Sequence, residues 1–310
     1  MAAEPVAIID IGSNSTRLLI ATVNGGSPRT LHRDAEVTRL GRGVDTTGRL
    51  SSDGIEAVCA VVGRYLDQAR AAGASRIEAV ATSAVRDAEN GDAFRAELRE
   101  RFALPTRVLS GSEEARLTYL GAITGREARR NTLVCDIGGG STELIVGHGP
   151  QIEFRASMQC GVVRQSERHV RSDPPTAAEL ESLADEVRGL ITTALADAPQ
   201  ITAERAIAVA GTPTSLAAID LGLDPYDPTA VHGHQLSIER IQRTCSELAA
   251  LDLARRRTLT GLQPGRAPTI VAGVVILIGI LRRFNLRSVE VSENDILHGL
   301  ALELTAGAGP

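Results

Sequence analysis

The stretch DIGSNSTRLLI, running from Asp10 to Ile20, returns 126 residues later as DIGGGSTELIV, from Asp136 to Val146. Six of the eleven positions are identical: the Asp, Ile, Gly, Ser, Thr and first Leu of the pattern. Each copy ends an apolar run in an aspartate, turns through small residues, and starts a second apolar run. That is the signature of strand, tight turn, strand. A repeat at about one domain length marks a duplicated domain rather than a solenoid. Two related halves facing each other would set both turns on one central cleft.

Outward from the first copy, residues 6–11 and 17–23 read as strands, with a hairpin turn at Asn24-Gly25-Gly26. Residues 30–40 read as a third strand. Ser51 then caps a helix to about residue 72, where Gly73 stops it. A strand at 77–81, a helix at 92–102, a strand at 106–109 and a helix opened by Ser112-Glu113-Glu114 follow. The order is β-β-β-α-β-α-β-α, and it restarts at residues 132–135 and 144–146. Strands are expected again at 206–210 and 288–291, and helices at 174–195, 237–251, 268–284 and 295–304. Pro150-Gln151, Asp173-Pro174-Pro175 and residues 224–228 read as loops. The fold class is therefore α/β with two duplicated domains. The expected domains are residues 1–125, joined by a C-terminal helix at about 293–310, and residues 126–292.

Composition narrows the chemistry. All 33 basic residues among the 310 are arginine, against 38 acids, for a net charge of −5. Without lysine, a Walker P-loop, a protein kinase and a Schiff-base enzyme are excluded. Anionic ligands must be met by arginine, backbone N–H groups or a metal. A mildly acidic chain is no general nucleic-acid binder. Cys59, Cys135, Cys160 and Cys245 show no metal-type spacing and read as reduced thiols of a cytoplasmic protein. The N-terminus lacks a basic signal region, and the longest apolar run, Ile270 to Leu281, is too short to span a membrane. That run reads as a buried helix.

The repeated turns are the first candidate sites. Gly12, Ser13, Asn14 and Ser15 offer successive N–H groups of the kind that bind anions, and Asp10 stands at the strand end where it could hold a divalent cation directly or through water. The second copy is richer, with Gly138, Gly139, Gly140 and Ser141 between Asp136 and Glu143. Those two carboxylates are hard oxygen ligands suited to Mg²⁺ (or Mn²⁺), with phosphate completing the octahedron. A third glycine turn, with Gly211 and Thr212, follows a strand and precedes a helix, as phosphate-binding turns do. Arg86 follows the strand at 77–81 and could clamp phosphate bidentately. In the Ser110-Gly-Ser-Glu-Glu114 segment, Ser110 and Glu113 fit a capping box, and one glutamate could serve as a general base. Adjacent helical residues point about 100° apart, so only one of the two could face a cleft. The other arginine groups (126/129/130, 164/168/171, 255/256/257 and 282/283/287) read mostly as solvated faces, and His232-Gly-His234 as loop and strand rather than a chelate.

The segments DIGSNSTRLLI, ATSAVRDAEN, LSGSEEARLTYLGA, DIGGGSTELIV, AVAGTPTSL and GLQPGRAPTIVAG together resemble the exopolyphosphatase and guanosine pentaphosphate phosphatase family, within the actin, Hsp70 and sugar-kinase superfamily. The resemblance implies two ribonuclease-H-like domains with phosphates held between them. It implies that Glu114 is the general base, that Asp136 and Glu143 are the acids associated with the metal, that Gly138 lies in the second phosphate loop, and that Arg86 stands near the reacting phosphate. The expected activity is metal-dependent removal of terminal phosphate from inorganic polyphosphate. The sequence ends at Pro310 like the short, two-domain members, which implies a preference for short chains; VSENDILHGL replaces the commoner SDxGLREG pattern. A homodimer is also implied. The alternatives are a guanosine pentaphosphate 5′-phosphatase, a small-molecule kinase of the same superfamily, and a non-catalytic polyphosphate or nucleotide sensor.

Overall fold

The computed structural model describes residues 4–126 and 131–306. Arg129, Arg130 and the last four residues of the expected C-terminal helix lie outside the described residues. The chain divides into two compact units, Met1–Gly125 with Asp295–Pro310, and Arg126–Asn294.

In the first unit, β1 (Val6–Ile11), β2 (Thr16–Asn24) and β3 (Ser27–Glu36) form an antiparallel meander. β4 (Arg76–Ala81) and β5 (Thr106–Val108) add in parallel on the other side of β1, giving the order β3-β2-β1-β4-β5. β1 is apolar at nearly every position because it is central and covered on both faces. Ala7, Ile9 and Ile11 pack in one cluster with Val58, Val62 and Tyr65 of the helix Ser52–Ala71. Val6 and Ile8 face the opposite cluster, with Leu117, Leu297 and Leu300. Leu117 and Leu297 belong to the helices Gly111–Ile123 and Ile296–Ala306, whose backbones touch at two glycines. A Cβ at Gly121 would lie 1.9 Å from the Asp295 carbonyl oxygen, and one at Gly299 would lie 2.0 Å from that of Leu117.

The second unit repeats the plan. β6 (Thr132–Ile137), β7 (Thr142–His148) and β8 (Gln151–Met158) form the meander. β9 (Arg205–Val209) and β11 (Ser288–Val291) add in parallel, and β10 (Gln235–Ser237) closes the edge antiparallel to β11. The order β10-β11-β9-β6-β7-β8 matches that of the first unit with one added edge strand. Both are ribonuclease-H-like sheets, and the duplicated segments occupy the same β1-turn-β2 and β6-turn-β7 positions. The apolar run lies in the buried helix Ile270–Arg283, packed in the core with Val187 and Ile191 of the helix Ala177–Ala194. No helix among the described residues is long and apolar enough to cross a membrane.

Several expected boundaries are corrected. β3 begins at Ser27, because the Gly25-Gly26 turn pairs Asn24 directly with Ser27, and it ends at Glu36 rather than residue 40. The chain then leaves the sheet so that Arg39 N–H can donate to the Asn14 carbonyl at 2.9 Å. Gln151 is the first residue of β8 and not a loop residue. The helix expected from residue 174 starts at Ala177, where Thr176 and Glu179 form a capping box. The helix Val162–His169 is an addition that the sequence pattern does not signal.

Candidate active site

The two repeated turns share one hydrogen-bonding plan. Gly12 N–H donates to the Ser15 carbonyl at 3.0 Å, and Gly138 N–H donates to the Ser141 carbonyl at 3.0 Å. Both glycines are closely approached: a Cβ would sit 2.9 Å from the Ser15 oxygen at Gly12 and 3.0 Å from the Ser141 oxygen at Gly138, tighter than ordinary van der Waals contact. The carbonyls of each turn are then drawn backwards. Those of Ser13 and Asn14 accept from Gly41 and Arg39, at 2.7 and 2.9 Å. Those of Gly138, Gly139 and Gly140 accept from Val162, Val163 and Gly161, at 2.9, 2.9 and 3.1 Å. The N–H groups of Ser13, Asn14, Gly139 and Gly140 donate to no acceptor among the described residues. Turns built this way present N–H groups to an anion.

The repeat differs where the second strand begins, and the difference changes the chemistry. Asp10 lies directly opposite Arg17, whereas Asp136 lies directly opposite Glu143. In the first unit Arg17 Nε donates to Asp10 Oδ2 at 2.9 Å, and Arg17 also reaches Asp295 Oδ2 at 2.5 Å. Asp10 Oδ1 is buried with no hydrogen-bond partner. Burial pushes the Asp10 carboxyl up from its ordinary value, and Arg17 opposes that shift. In the second unit two carboxylates are cross-strand neighbours on one face, where like charges repel. Both are buried, and Glu143 accepts a hydrogen bond from Ser157 Oγ at 2.7 Å. Among the described residues no cluster of three or more His, Cys, Asp or Glu side chains gathers to hold a metal. A pair of hard oxygen donors fits Mg²⁺, which keeps water and takes phosphate oxygens rather than an all-protein cage. The neighbouring Cys135 thiol is pushed up to about 12 by burial and the Asp136 charge, so it is no thiolate nucleophile.

Arg86 sits on the short helix Ser83–Asp87, tied to the first turn by the Ala84 N–H, which donates to Ser13 Oγ at 3.1 Å. Its guanidinium pairs with Glu114 and donates to the Leu109 carbonyl at 2.8 Å. The two glutamates of the next helix have separate tasks. Glu113 accepts from Ser110 N–H at 2.9 Å and Ser110 Oγ at 2.7 Å, completing the capping box. These bonds hold its carboxyl below the usual range. Glu114 turns inward and is 5% exposed.

The third turn is strained. Ala210 precedes the helix Gly211–Leu221 at φ 73°, ψ −167°, a region that essentially only glycine occupies. No side chain caps that helix. The Arg266 guanidinium lies against Gly211, where a Cβ would be 2.0 Å from its terminal nitrogen. Sequence reasoning misses Arg266, although it lies in the GLQPGRAPTIVAG segment; nothing in its spacing signals it. Arg164, grouped by sequence with solvated arginines, instead donates from Nε to the Gly140 carbonyl at 3.1 Å. Arg17 and Glu143 hold the same place in the two sequence copies, and the strand register is what sets each opposite its aspartate. His234 pairs with Asp220 at 2.8 Å, and His232 accepts from the Glu293 N–H at 3.1 Å, so the two do not form a chelate.

Comparison with known proteins decides the lineage. The Ppx/GppA phosphatase family matches residues 19–306. The chain belongs to this family. It is 36% identical to Exopolyphosphatase 2 of Mycobacterium tuberculosis, over 98% of this chain and 99% of that protein. It is 27% identical to the guanosine-5′-triphosphate,3′-diphosphate pyrophosphatase of Photobacterium profundum, over 96% of this chain and 59% of that protein. The crystal structure of an exopolyphosphatase-like protein superposes with a TM-score of 0.92 at 33% identity, covering 98% of both chains. The family's two-sheet α/β architecture is thus the architecture described above.

Proposed function

We propose that this protein is an exopolyphosphatase that hydrolyses the terminal phosphoanhydride bond of inorganic polyphosphate, favouring short chains, with Mg²⁺ or Mn²⁺. The observation that carries the reading is the facing pair Asp136 and Glu143 beside a glycine turn with outward N–H groups. The full-length relatedness to an exopolyphosphatase supports it.

In this reading Asp136 and Glu143 would hold the cation, with Asp10 as a further candidate ligand. The cation supplies neutralisation of charge on the reacting phosphoryl group. Glu114 orients the attacking water and takes its proton. Arg86 holds Glu114 in place and grips a phosphate oxygen. The backbone of Gly12 to Ser15, Gly138 to Ser141, and Gly211 and Thr212 binds the remaining oxygens, with Arg266 beside the third turn. Positioning and charge stabilisation dominate in such reactions. Free, buried or half-buried cysteines support a cytoplasmic enzyme. The homodimer belongs to the same proposal and is read from the mass in solution.

The second reading, a guanosine pentaphosphate 5′-phosphatase, is favoured by the relatedness to the Photobacterium enzyme. Phosphate release from length-defined polyphosphates and from guanosine pentaphosphate, at one enzyme concentration, separates the two. Activity on short polyphosphate that EDTA abolishes and Mg²⁺ restores is the expected result. Binding without any turnover would instead identify a sensor.

A further inference from the structure

The helix Val162–His169 is engaged at both ends, and its second anchor points to an unassigned residue. Its N-terminal turn is spent on the second glycine turn. The N–H groups of Gly161, Val162 and Val163 take the three glycine carbonyls, and Arg164 Nε adds a second bond to Gly140. Gly161 is packed so closely there that a Cβ would lie 2.2 Å from the Gly139 carbonyl oxygen. Its C-terminal turn converges on one carboxylate. Gln165 Nε2 donates to Glu186 Oε1 at 3.3 Å, Arg168 to the same oxygen at 2.6 Å, and His169 Nε2 to Oε2 at 2.5 Å. These three are spaced i, i+3 and i+4, so they share one face. Glu186 stands on the helix Ala177–Ala194, and Ser182, one turn earlier, lies 3.1 Å from His169 Nδ1.

An eight-residue helix does not hold its place by itself. Its position must come from tertiary contacts at its ends and along its buried side. Gln165 is fully buried, and its Oε1 has no hydrogen-bond partner, so Glu186 is what engages that side chain. Burial works to raise the Glu186 carboxyl, yet bonds from His169, Arg168 and Gln165 outweigh it and hold the group ionised below the usual range.

We propose that Glu186 is a positioning residue for the substrate-binding glycine turn: it seats the Val162–His169 helix, whose first N–H groups turn the Gly138–Gly140 carbonyls away from the ligand. It touches no substrate. The proposal rests on the reading of that turn as a phosphate grip.

The test combines amide hydrogen exchange, measured without substrate, with steady-state kinetics on tripolyphosphate. Glu186→Ala is expected to speed exchange in peptides covering residues 138–164, with first-unit peptides unchanged. KM is expected to rise about tenfold, the scale of a lost charged hydrogen bond, with kcat changing far less. Glu186→Gln, which keeps the acceptor oxygen, should fall between Ala and wild type, and it remains informative if the alanine variant fails to fold. Asp185→Ala, which removes only an exposed pair with Arg188, should match wild type. Unaltered exchange at 138–164 overturns the brace. Faster exchange with an unchanged KM overturns the positioning role. A wild-type protein that turns over no polyphosphate sinks the functional reading instead, and the exchange comparison still decides the brace.

Discussion

Arg86 donates through one guanidinium nitrogen to both the Glu114 carboxylate and, at 2.8 Å, the Leu109 carbonyl. Leu109 ends the segment after β5 and Glu114 lies one helical turn beyond the Ser110 cap, so a single side chain fixes the start of that helix. The adjacent glutamate is already committed to the cap. The segment therefore divides its two glutamates, with Glu113 outward in the cap and Glu114 inward against Arg86.

That division predicts opposite phenotypes for neighbouring substitutions. Glu114→Gln should lower kcat by about 10²–10⁴-fold, the usual contribution of a positioned base. Its melting temperature should move little. Glu113→Ala should leave kcat unchanged and cost about 0.5–1 kcal/mol of stability, the scale of a lost helix cap. Phosphate-release kinetics and thermal melts on the two proteins check both, and a Glu114→Gln enzyme with wild-type kcat would remove the base assignment.

Arg86 is expected to act through charge and shape together. Arg86→Ala should reduce kcat/KM by about 10–100-fold, through the loss of charged hydrogen bonds to Glu114 and phosphate. Arg86→Lys should recover only part of that, because an ammonium cannot reach the Leu109 carbonyl, Glu114 and an oxyanion in one plane. Full recovery by lysine would show that charge alone matters.

Much of this arrangement is legible in the amino-acid sequence. The repeated segment locates both meanders, and the Ser110 and Glu113 spacing announces its capping box. What stays hidden depends on contacts between distant segments. β8 is an edge strand with alternating half-exposed positions, a weaker pattern than the all-buried β1. The helix Val162–His169 is too short to declare itself by periodicity and exists because the glycine carbonyls and Glu186 hold it. Asp10 and Asp136 are equivalent metal-ligand candidates by sequence. Only the strand register shows that Arg17 faces the first and Glu143 the second. Local patterns carry the elements, and long-range pairing assigns the charges.

Gly161 makes a direct test of the second turn. Glycine is required there by proximity, since a Cβ would also lie 2.4 Å from the Gly140 carbonyl carbon. Backbone cannot yield as a flexible side chain can, so Gly161→Ala should displace the Gly138–Gly140 turn. We expect a loss of kcat/KM of at least about tenfold, since small misplacements at a reacting centre are costly. Overpacking of this kind typically costs about 1–3 kcal/mol, which chemical denaturation would read. Gly189→Ala, at a helix-interior position with open space around it, is the matched control: it should leave kcat/KM unchanged and raise stability by about 0.5–1 kcal/mol, opposite in sign to Gly161→Ala.

The buried charges of the first unit predict an acid-sensitive fold. Asp295 is 1% exposed and accepts from Arg17 at 2.5 Å, Arg33 at 3.4 Å and the Leu297 N–H at 3.0 Å. Burial works to raise its carboxyl, but Arg17, His298 and Arg33 outweigh that and hold it far below the usual range. A depressed folded value means the stabilisation is present above the unfolded value, about 3.9, and is lost as pH falls below it. Asp295→Asn leaves Arg17 and Arg33 facing a neutral group, and breaking such a buried pair costs about 3–5 kcal/mol. The variant should therefore be less stable at pH 7 and should lose less on acidification than the wild type. Urea melts of both proteins between pH 7 and pH 3 measure the two slopes. Parallel slopes would show that Asp295 is not the group whose protonation loosens the first unit.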